Sequence, residues 1–469
     1  MTTARTAASR RPVILLGTRD AACAEQGQAL AWGLALLAIA TAAWAGSTAI
    51  GRVAGASTRL VHVADAAVYS GALVQARSLN LVAYINRAQI AHQVALAHLA
   101  TIASWNAFAG TQAQQSRIRN PPATLIGGLF GPSFGWAYGR ARGGAVSPEA
   151  VRAAAMRHDA IVHDVLLQAA RLQLRDTPIL RDHVMQAVLH ANDDSGLPLT
   201  FSVLHDGWAG TTVEQGAKAS KGLRPLALDA AGRYGLLFPR DRTERSPWIV
   251  YKWCPWMRHE LRRVGQTTLS RDGRWASEDT QSFHSLRFNK WRGCYHREYP
   301  MGWAQLRGAG GDRVMPAVTA ENAWRLVEIA RHGPITRLLF GNPMAQWRAF
   351  AEGWELPGRG LPAIHALSHE AGPALVIRVQ GGVAQSDAAR QGHTPAWLAW
   401  RWLLPLLDSR PLSHTVAAQA YLALPPGRQG LEPTHLSALL RPYWMARRVA
   451  VPKGASSDEA VGRATQEHL

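Results

Sequence analysis

No charged residue occurs between Gln28 and Ile50. At a rise of 1.5 Å per residue, a helix over this segment is long enough to span the roughly 30 Å hydrocarbon core of a bilayer. A cleaved secretory signal is the alternative, but the apolar region of such a signal normally has about 7–15 residues. The length of the uncharged run therefore favours an uncleaved transmembrane helix at 28–50.

The arginines on either side of this segment predict its orientation. Arginines precede it at four positions, and Arg52 and Arg59 follow it closely. Positive charge is concentrated on the cytoplasmic side of membrane helices. We therefore expect residues 1–27 in the cytoplasm and the remainder of the chain on the far side of the membrane.

Proline is absent between Pro12 and Pro121, and glycine is absent between Gly71 and Gly110. Beyond the apolar segment, apolar positions recur at three- and four-residue steps with polar residues between them, which is the pattern of an amphipathic helix. The sequence therefore predicts a long amphipathic helix over 51–110 that continues the membrane segment. Gly51, Gly55 and Gly71 are the candidate breaks in it.

The remainder of the chain predicts a mixed α+β head. Residues 111–147 are rich in glycine and proline and predict a connection. Ser147 and Pro148 then supply an N-cap and a first-turn proline for a new helix. Two helices are expected before residue 193, with a break near Pro178, and short β-rich runs follow within the exported head at 148–452. The polar tail at 453–469 is expected to be disordered.

Acidic residues are few. The chain has 51 Lys and Arg against 32 Asp and Glu, a formal net charge of +19, while 47% hydrophobic residues and 18 Trp can supply a sizeable core. A basic exported head suits anionic lipid headgroups, acidic envelope polymers or an acidic partner. Compositional bias toward arginine is the alternative. Nucleic acid is not expected as a partner, because the anchor holds the head outside the cytoplasm.

Cysteine is also scarce, with three in the chain. Cys23 precedes the membrane segment, whereas Cys254 and Cys294 follow it and would share an oxidising compartment. A disulfide between the latter two would close a loop of about 40 residues and contribute about 3–4 kcal/mol. Two buried free thiols are the alternative.

Several stretches near the two ends of the chain resemble one family. They are Gln26–Leu30, Leu60–Ser70, Gln75–Asn80, Tyr84–Ala88 and Arg441–Arg447. In order and in residue type they resemble the TadG-like (TadE/TadG) proteins of Flp, or tight-adherence, pilus assembly. In that family a Gly-Gln start, one transmembrane helix and a QNAADAAA-like stretch occur in this order. Independently of the resemblance, a helix that is half membrane-embedded and half packed on a globular head is the architecture of pilin-like proteins.

The resemblance implies a single-pass protein of the bacterial inner membrane. It would be a non-enzymatic accessory or minor component of Flp-type pilus assembly, or of a related secretion apparatus, with no cofactor. Its partners would be the bilayer and other pilus-assembly or pilin-like membrane proteins. Cleavage after Gly27 would place Trp32 where prepilins usually carry Glu, so polymerisation as a major pilin is not expected. The Asp-x-Ser-x-Ser motif of TadG-type von Willebrand domains is absent from the sequence.

Tryptophan and arginine are interleaved most densely over 248–303, the tryptophan–arginine segment. The residues proposed as a partner surface within it are Trp253, Trp256, Arg258, Trp291, Arg292 and Trp303. Such side chains suit cation–π stacking on sugars or acidic polymers, and equally suit a core around a disulfide. The first interpretation carries the alternative function, a signal-anchored envelope hydrolase or glycan-binding protein.

The sequence gives only weak signals for catalytic or metal-binding motifs. No phosphate-binding loop and no Cys-x-x-Cys occurs, and the His365 and His369 pair lacks the His-Glu-x-x-His order of zinc proteases. His158-Asp159 and His163-Asp164 are five residues apart, which in an α-helix points them about 140° from each other. A solvated helix face is therefore expected there, and neither a metal site nor a catalytic set is predicted.

Overall fold

A computed structural model describes residues 26–119, 122–192, 199–216, 222–242, 244–249, 258–287, 293–307, 352–368, 372–381, 412–424 and 438–452. The predicted tail at 453–469 lies outside these ranges, and so do residues 1–25 of the segment that is predicted to be cytoplasmic. The fold is α+β: a long N-terminal apolar helix is followed by helices and β-sheets, as the sequence predicts.

The helices in the described residues are α1 (Gln26–Arg117), α2 (Ala123–Phe130), α3 (Pro132–Gly139), α4 (Pro148–Ala160), α5 (Leu167–Ala191) and α6 (Leu223–Gly232). A π-helical turn, Ile161–Leu166, joins α4 to α5. Helices α2 and α3 lie within the segment that the sequence assigns to a connection. The Ser147 hydroxyl accepts a hydrogen bond from the Ala150 N–H at 3.3 Å, which confirms the predicted cap of α4.

Helix α1 is continuous through every glycine that the sequence offers as a break. At Gly71 the absence of a side chain serves packing. A Cβ there would lie 2.7 Å from the Sδ of Met185 and 3.0 Å from a methyl group of Leu375. Gly71 therefore lets α5 and a strand approach α1 closely, and the surrounding contacts hold the glycine in the helix.

The predicted break at Pro178 is wrong, because α5 continues through it. Proline has no N–H to donate to the carbonyl four residues earlier, which here belongs to Leu174. The indole N–H of Trp208 donates to that carbonyl at 3.0 Å instead. A tertiary contact thus satisfies the group that the proline leaves without its helical partner.

The strands in the described residues are β1 (Thr200–Asp206), β2 (Thr212–Gln215), β3 (Arg240–Asp241), β4 (Glu244–Ile249), β5 (Arg258–Leu269), β6 (Trp275–Arg287), β7 (Gly293–Arg307), β8 (Glu352–Pro357), β9 (Ile364–Leu367), β10 (Ala374–Gly381), β11 (Leu412–Leu422) and β12 (Trp444–Val449). Over the described ranges they form a sheet of order β1-β10-β11-β12, a β2-β9 ribbon and a larger sheet of order β3-β5-β6-β7-β8, with β4 paired to β5. Strand β8 adds to β7 in parallel, whereas the β3–β7 pairings are antiparallel.

The chain divides into two compact units. The first contains residues 1–64, 189–201 and 378–414, and the second contains the remainder. In the second unit, α1 from Asp65 onward supplies alanines and leucines to two apolar clusters. One includes Leu96, Ala100 and Trp275, and the other includes Leu79 and Trp444. The head is therefore built around the second half of α1.

Candidate functional site

The first part of α1 presents apolar side chains to the outside of the fold. We call Ala29–Ile50 the anchor segment. Leu36 is 64% exposed and Trp44 is 72% exposed. Within α1 the most apolar 18-residue window has a mean hydropathy of 1.7, and none of it is buried. By length and composition this is the one helix in the described residues that meets the requirements of a membrane span.

Polar side chains in the anchor segment are hydrogen-bonded within the helix itself. The Thr41 hydroxyl donates to the carbonyls of Leu37 and Ala38 at 2.9 Å, and Thr48 donates to Ala45 at 2.8 Å. In hydrocarbon each polar group must find its partner inside the protein. These short hydroxyl side chains do so without leaving the helix surface.

The continuation of α1, Asp65–Arg117, is the head segment, and its amides bind the backbone of distant strands. The Asn80 side chain donates to the Trp444 carbonyl at 2.9 Å and accepts from the Trp444 N–H at 2.8 Å. Asn80 thus pairs with β12 as a neighbouring strand would. The stretches Gln75–Asn80 and Arg441–Arg447, which carry the family resemblance at opposite ends of the chain, meet at this contact.

A second buried amide joins two further parts of the head to α1. The Asn86 side chain donates to the carbonyls of His365 and Leu439, both at 2.9 Å, and Asn86 is 1% exposed. Gln89 donates to the Ala363 carbonyl at 3.4 Å. Since an amide at the wrong height on α1 would miss these carbonyls, the three residues fix the position of the head along the helix.

The π-helical turn brings Asp159 and Asp164 to one arginine, contrary to the prediction from α-helical spacing. The Arg359 guanidinium donates to both carboxylates, at 2.7 Å to Asp159 and at 2.7 and 2.9 Å to Asp164. A π-helix closes i→i+5 hydrogen bonds, so residues five apart lie nearly one turn apart. The prediction of a solvated face is wrong for Asp159, which is 8% exposed.

Arg359, Asp159 and Asp164 form an arginine–aspartate clamp, and their hydrogen bonds shift the pKa values of Asp164 and Arg359. The hydrogen bond from Arg359 lowers the pKa of Asp164 below its usual range. The hydrogen bonds that Arg359 donates to Asp164 and Asp159 raise the pKa of the guanidinium. The side chain of His163 lies beside them, with Nε2 at 3.1 Å from the Gly360 carbonyl and 3.7 Å from Asp159. The clamp fastens the α4–α5 junction to the loop after β8.

His365 lies in strand β9, opposite Glu214 of β2, and not on a helix of the kind that the predicted spacing to His369 would need for a metal site. Its Nε2 is 3.8 Å from Glu214, whose carboxylate also accepts two hydrogen bonds from Arg171 at 2.6 and 2.8 Å. Burial lowers the pKa of His365, and the Arg171 hydrogen bonds lower the pKa of Glu214. His369 lies outside the described residues.

A buried ion pair is enclosed between α1 and the larger sheet. Arg240 donates to Asp279 at 3.0 Å, and the Ser104 hydroxyl of α1 donates to the other Asp279 oxygen at 2.6 Å. Burial raises the pKa of Asp279 despite the neighbouring guanidinium. Arg240 also donates to the Leu236 carbonyl at 2.8 Å. These hydrogen bonds join the larger sheet to α1 through Asp279.

The structure describes only part of the tryptophan–arginine segment. Trp303 lies in β7, where its indole occupies the space that a side chain at residue 353 would need. Arg258 begins β5, and Cys294 is near the start of β7. The remaining residues of the predicted surface and disulfide lie outside the described ranges: Trp253, Cys254, Trp256, Trp291 and Arg292. The disulfide and the partner surface both stay predictions.

The sequence predicts no Gly-x-Ser-x-Gly elbow, but the pattern itself is present. Gly131-Pro132-Ser133-Phe134-Gly135 matches Gly-x-Ser-x-Gly. In hydrolases that pattern forms a sharp turn from a strand into a helix. Here it follows α2 and enters α3, and Ser133 is exposed on a helical hairpin. The local structure is therefore not that of a nucleophile elbow.

In the described part of the chain, no group of three or more His, Cys, Asp or Glu side chains is placed to hold a metal ion. Comparisons with protein-family models, with curated proteins and with solved structures find no match to this chain.

Proposed function

We propose that this protein is a single-pass component of the bacterial inner membrane that serves Flp-type pilus assembly or a related secretion apparatus. The anchor segment spans the bilayer with the N-terminus in the cytoplasm, and the head lies on the outer side. The protein acts as a non-enzymatic accessory or minor component. Its anchor lies among other pilin-like helices, and its head contacts assembly partners.

The observation that carries the proposal is the division of one helix into two environments. The anchor segment is uncharged and exposed, whereas the head segment is the central helix of a folded head. A helix that is half exposed apolar surface and half core is the architecture of pilin-like proteins. An ordinary soluble helix would expose its polar residues and bury its apolar ones.

The contact between Asn80 and Trp444 supports the same proposal. The two stretches that it joins resemble the TadG-like family independently of each other, and they are 364 residues apart in the chain. The contact offers one structural explanation for both resemblances, because it attaches the last described strand of the head to the helix that leaves the membrane.

Piliation in the source bacterium tests the proposal. Deleting the gene should abolish or strongly reduce Flp-type pili, and the full chain should restore them. A Leu36→Arg variant should fail to restore them, because it places a charge at the centre of the span. Leu36→Ile is the matched control and should restore piliation as the natural chain does.

Two results would contradict the proposal. One is normal piliation after deletion of the gene. The other is purified full-length protein that cleaves or tightly binds peptidoglycan without any pilus-assembly protein, which would favour the envelope hydrolase or glycan-binding alternative.

A further inference from the structure

Helices α2 and α3 form a hairpin with a small apolar core of its own. Its buried members are Ile126, Phe130 and Tyr138, and Phe134 packs against them. The two helices touch through backbone: a Cβ at Gly135 would lie 2.6–2.8 Å from backbone atoms of Ala123 and Gly127. The hairpin therefore consists of two helices in direct contact, and its shape depends on glycine.

The turn between the two helices also requires glycine. Gly131 has a φ of +110°, a backbone conformation that residues with a side chain rarely adopt. Pro132 follows it and begins α3. The hairpin thus has a fixed turn, a fixed crossing and a small interior, so its outward side chains are held on a defined element.

Those outward side chains include large apolar groups. Trp136 is 62% exposed and Leu125 is 42% exposed, while Ile118, just before the hairpin, is 64% exposed. The Arg140 guanidinium lies 4.2 Å from the centre of the Trp136 ring, a cation–π contact. Tryptophan beside arginine presents an apolar body next to a fixed positive charge.

The charged residues that flank the hairpin in sequence are of one sign. Arg117 and Arg119 precede it, and Arg140 and Arg142 follow it. No Asp or Glu occurs anywhere between Asp65 and Glu149. The hairpin thus carries a local excess of arginine that no acidic neighbour in sequence offsets.

We propose that the α2–α3 hairpin binds the surface of an anionic phospholipid bilayer. Trp136 and Leu125 would enter the headgroup boundary, where tryptophan is enriched in membrane proteins, and the four arginines would contact lipid phosphates. This contact is separate from the anchor segment and does not depend on a role in pilus assembly. An acidic protein would need pockets for two separated apolar side chains, whereas a bilayer surface accepts them in any arrangement.

Vesicle flotation with the full chain tests this proposal. The protein is held in nanodiscs of phosphatidylcholine, and floating vesicles are either phosphatidylcholine alone or an equal mixture with phosphatidylglycerol. The natural chain should float with the anionic vesicles, and less so as salt is raised. Trp136→Ser should weaken this binding about tenfold, because a large apolar side chain no longer leaves water. Arg142→Gln should weaken it about fivefold.

The matched control is Ile179→Ser, which removes a side chain of similar exposure, 61%, from α5. It should bind anionic vesicles within twofold of the natural chain. Because all variants share nearly the same excess of positive charge, nonspecific attraction is common to them. Circular dichroism checks that each variant keeps its helix content.

Three results would overturn the proposal: no binding of anionic vesicles by the natural chain, equal binding by Trp136→Ser, or equal binding of neutral and anionic vesicles. Each leaves the piliation experiment unaffected, so failure of the hairpin proposal is distinguishable from failure of the proposed function.

Discussion

The two segments of α1 contain many alanines and leucines but have opposite surroundings. In the anchor segment Leu36 is 64% exposed, whereas in the head segment Leu79 is 0% exposed. Apolar content alone does not separate them. The difference lies in what the remainder of the chain places against each segment, which for the head segment is two apolar clusters.

Their polar side chains differ in what they reach, and this difference is instructive. In the anchor segment the hydroxyls of Thr41 and Thr48 hydrogen-bond within their own helix. In the head segment the amides of Asn80 and Asn86 and the hydroxyl of Ser104 reach groups in other elements. A helix in lipid has to satisfy its polar groups alone. A helix in a folded head can use them to fix the position of its neighbours.

Truncating a leucine in each segment should produce the largest contrast. Leu79→Ala should destabilise the head by about 2–5 kcal/mol, because it leaves a cavity in a packed cluster. Leu36→Ala should leave head stability within about 0.5 kcal/mol, since the side chain packs on nothing in the fold. Chemical denaturation of the full chain in detergent, followed by near-ultraviolet circular dichroism, measures both. Equal effects would remove the distinction between the segments.

An introduced charge should affect the anchor segment more than the head segment, which is the reverse of the contrast expected for truncated leucines. Leu36→Arg should cost about 2.5–3.5 kcal/mol of membrane insertion and release the protein from membranes or block its export. Leu81→Arg is the matched control, because Leu81 is on the same helix and is 45% exposed in the head segment. It should remain in carbonate-washed membranes. Full retention of Leu36→Arg would mean that 28–50 is not the anchor.

Removing the amide at Asn80 tests the use of polar groups in the head segment. Asn80→Ala should cost about 1–3 kcal/mol, because it leaves the Trp444 N–H and carbonyl without these hydrogen bonds. Asn106→Ala removes one exposed hydrogen bond to the Val146 N–H and should change stability by less than about 0.5 kcal/mol. Denaturation midpoints compare the two. An Asn80→Ala protein as stable as Asn106→Ala would show that the contact does not hold β12.

The ion pair of Arg171 with Glu214 should have the smallest effect, confined to the head. The pKa of Glu214 is lower in the folded head than its ordinary value of 4.5. The unfolded chain therefore binds more protons in acid, so the pair stabilises the head above about pH 4.5 and loses this as pH falls further. Arg171→Gln should cost about 0.2–1 kcal/mol at pH 7 and less at pH 3. Denaturation at both pH values measures it, and a cost that grows in acid would contradict the sign.

Local rules predicted a good part of the helical structure. The uncharged run and the missing prolines predicted the long N-terminal helix, and Ser147 with Pro148 predicted the start of α4. These features depend on residues a few positions apart. The predictions at Pro178 and at the His-Asp pairs are wrong because distant residues decide the local structure there. Trp208 donates to the Leu174 carbonyl that Pro178 leaves without its helical partner, and Arg359 joins Asp159 of α4 to Asp164 of the π-helical turn.

Strand β6 of the larger sheet was not predicted, and the reason is its buried polar residues. Ser277, Glu278 and Asp279 in β6 are all buried, so the strand lacks the alternation of apolar and polar residues by which strands are predicted. Arg240 and Ser104, far away in the chain, provide partners for Asp279. The contact of Asn80 with Trp444 could not be predicted from local sequence patterns either, although both of the stretches that it joins carry the family resemblance.

The topology of the chain tests the central claim most directly. A reporter that is active only outside the cytoplasm is fused before Met1 in one strain and after Leu469 in another, with equal expression checked by immunoblot. The account predicts an inactive N-terminal fusion and an active C-terminal fusion, with the second remaining in carbonate-washed membranes. An active N-terminal fusion with an inactive C-terminal one would contradict it, because the head would then lie in the cytoplasm.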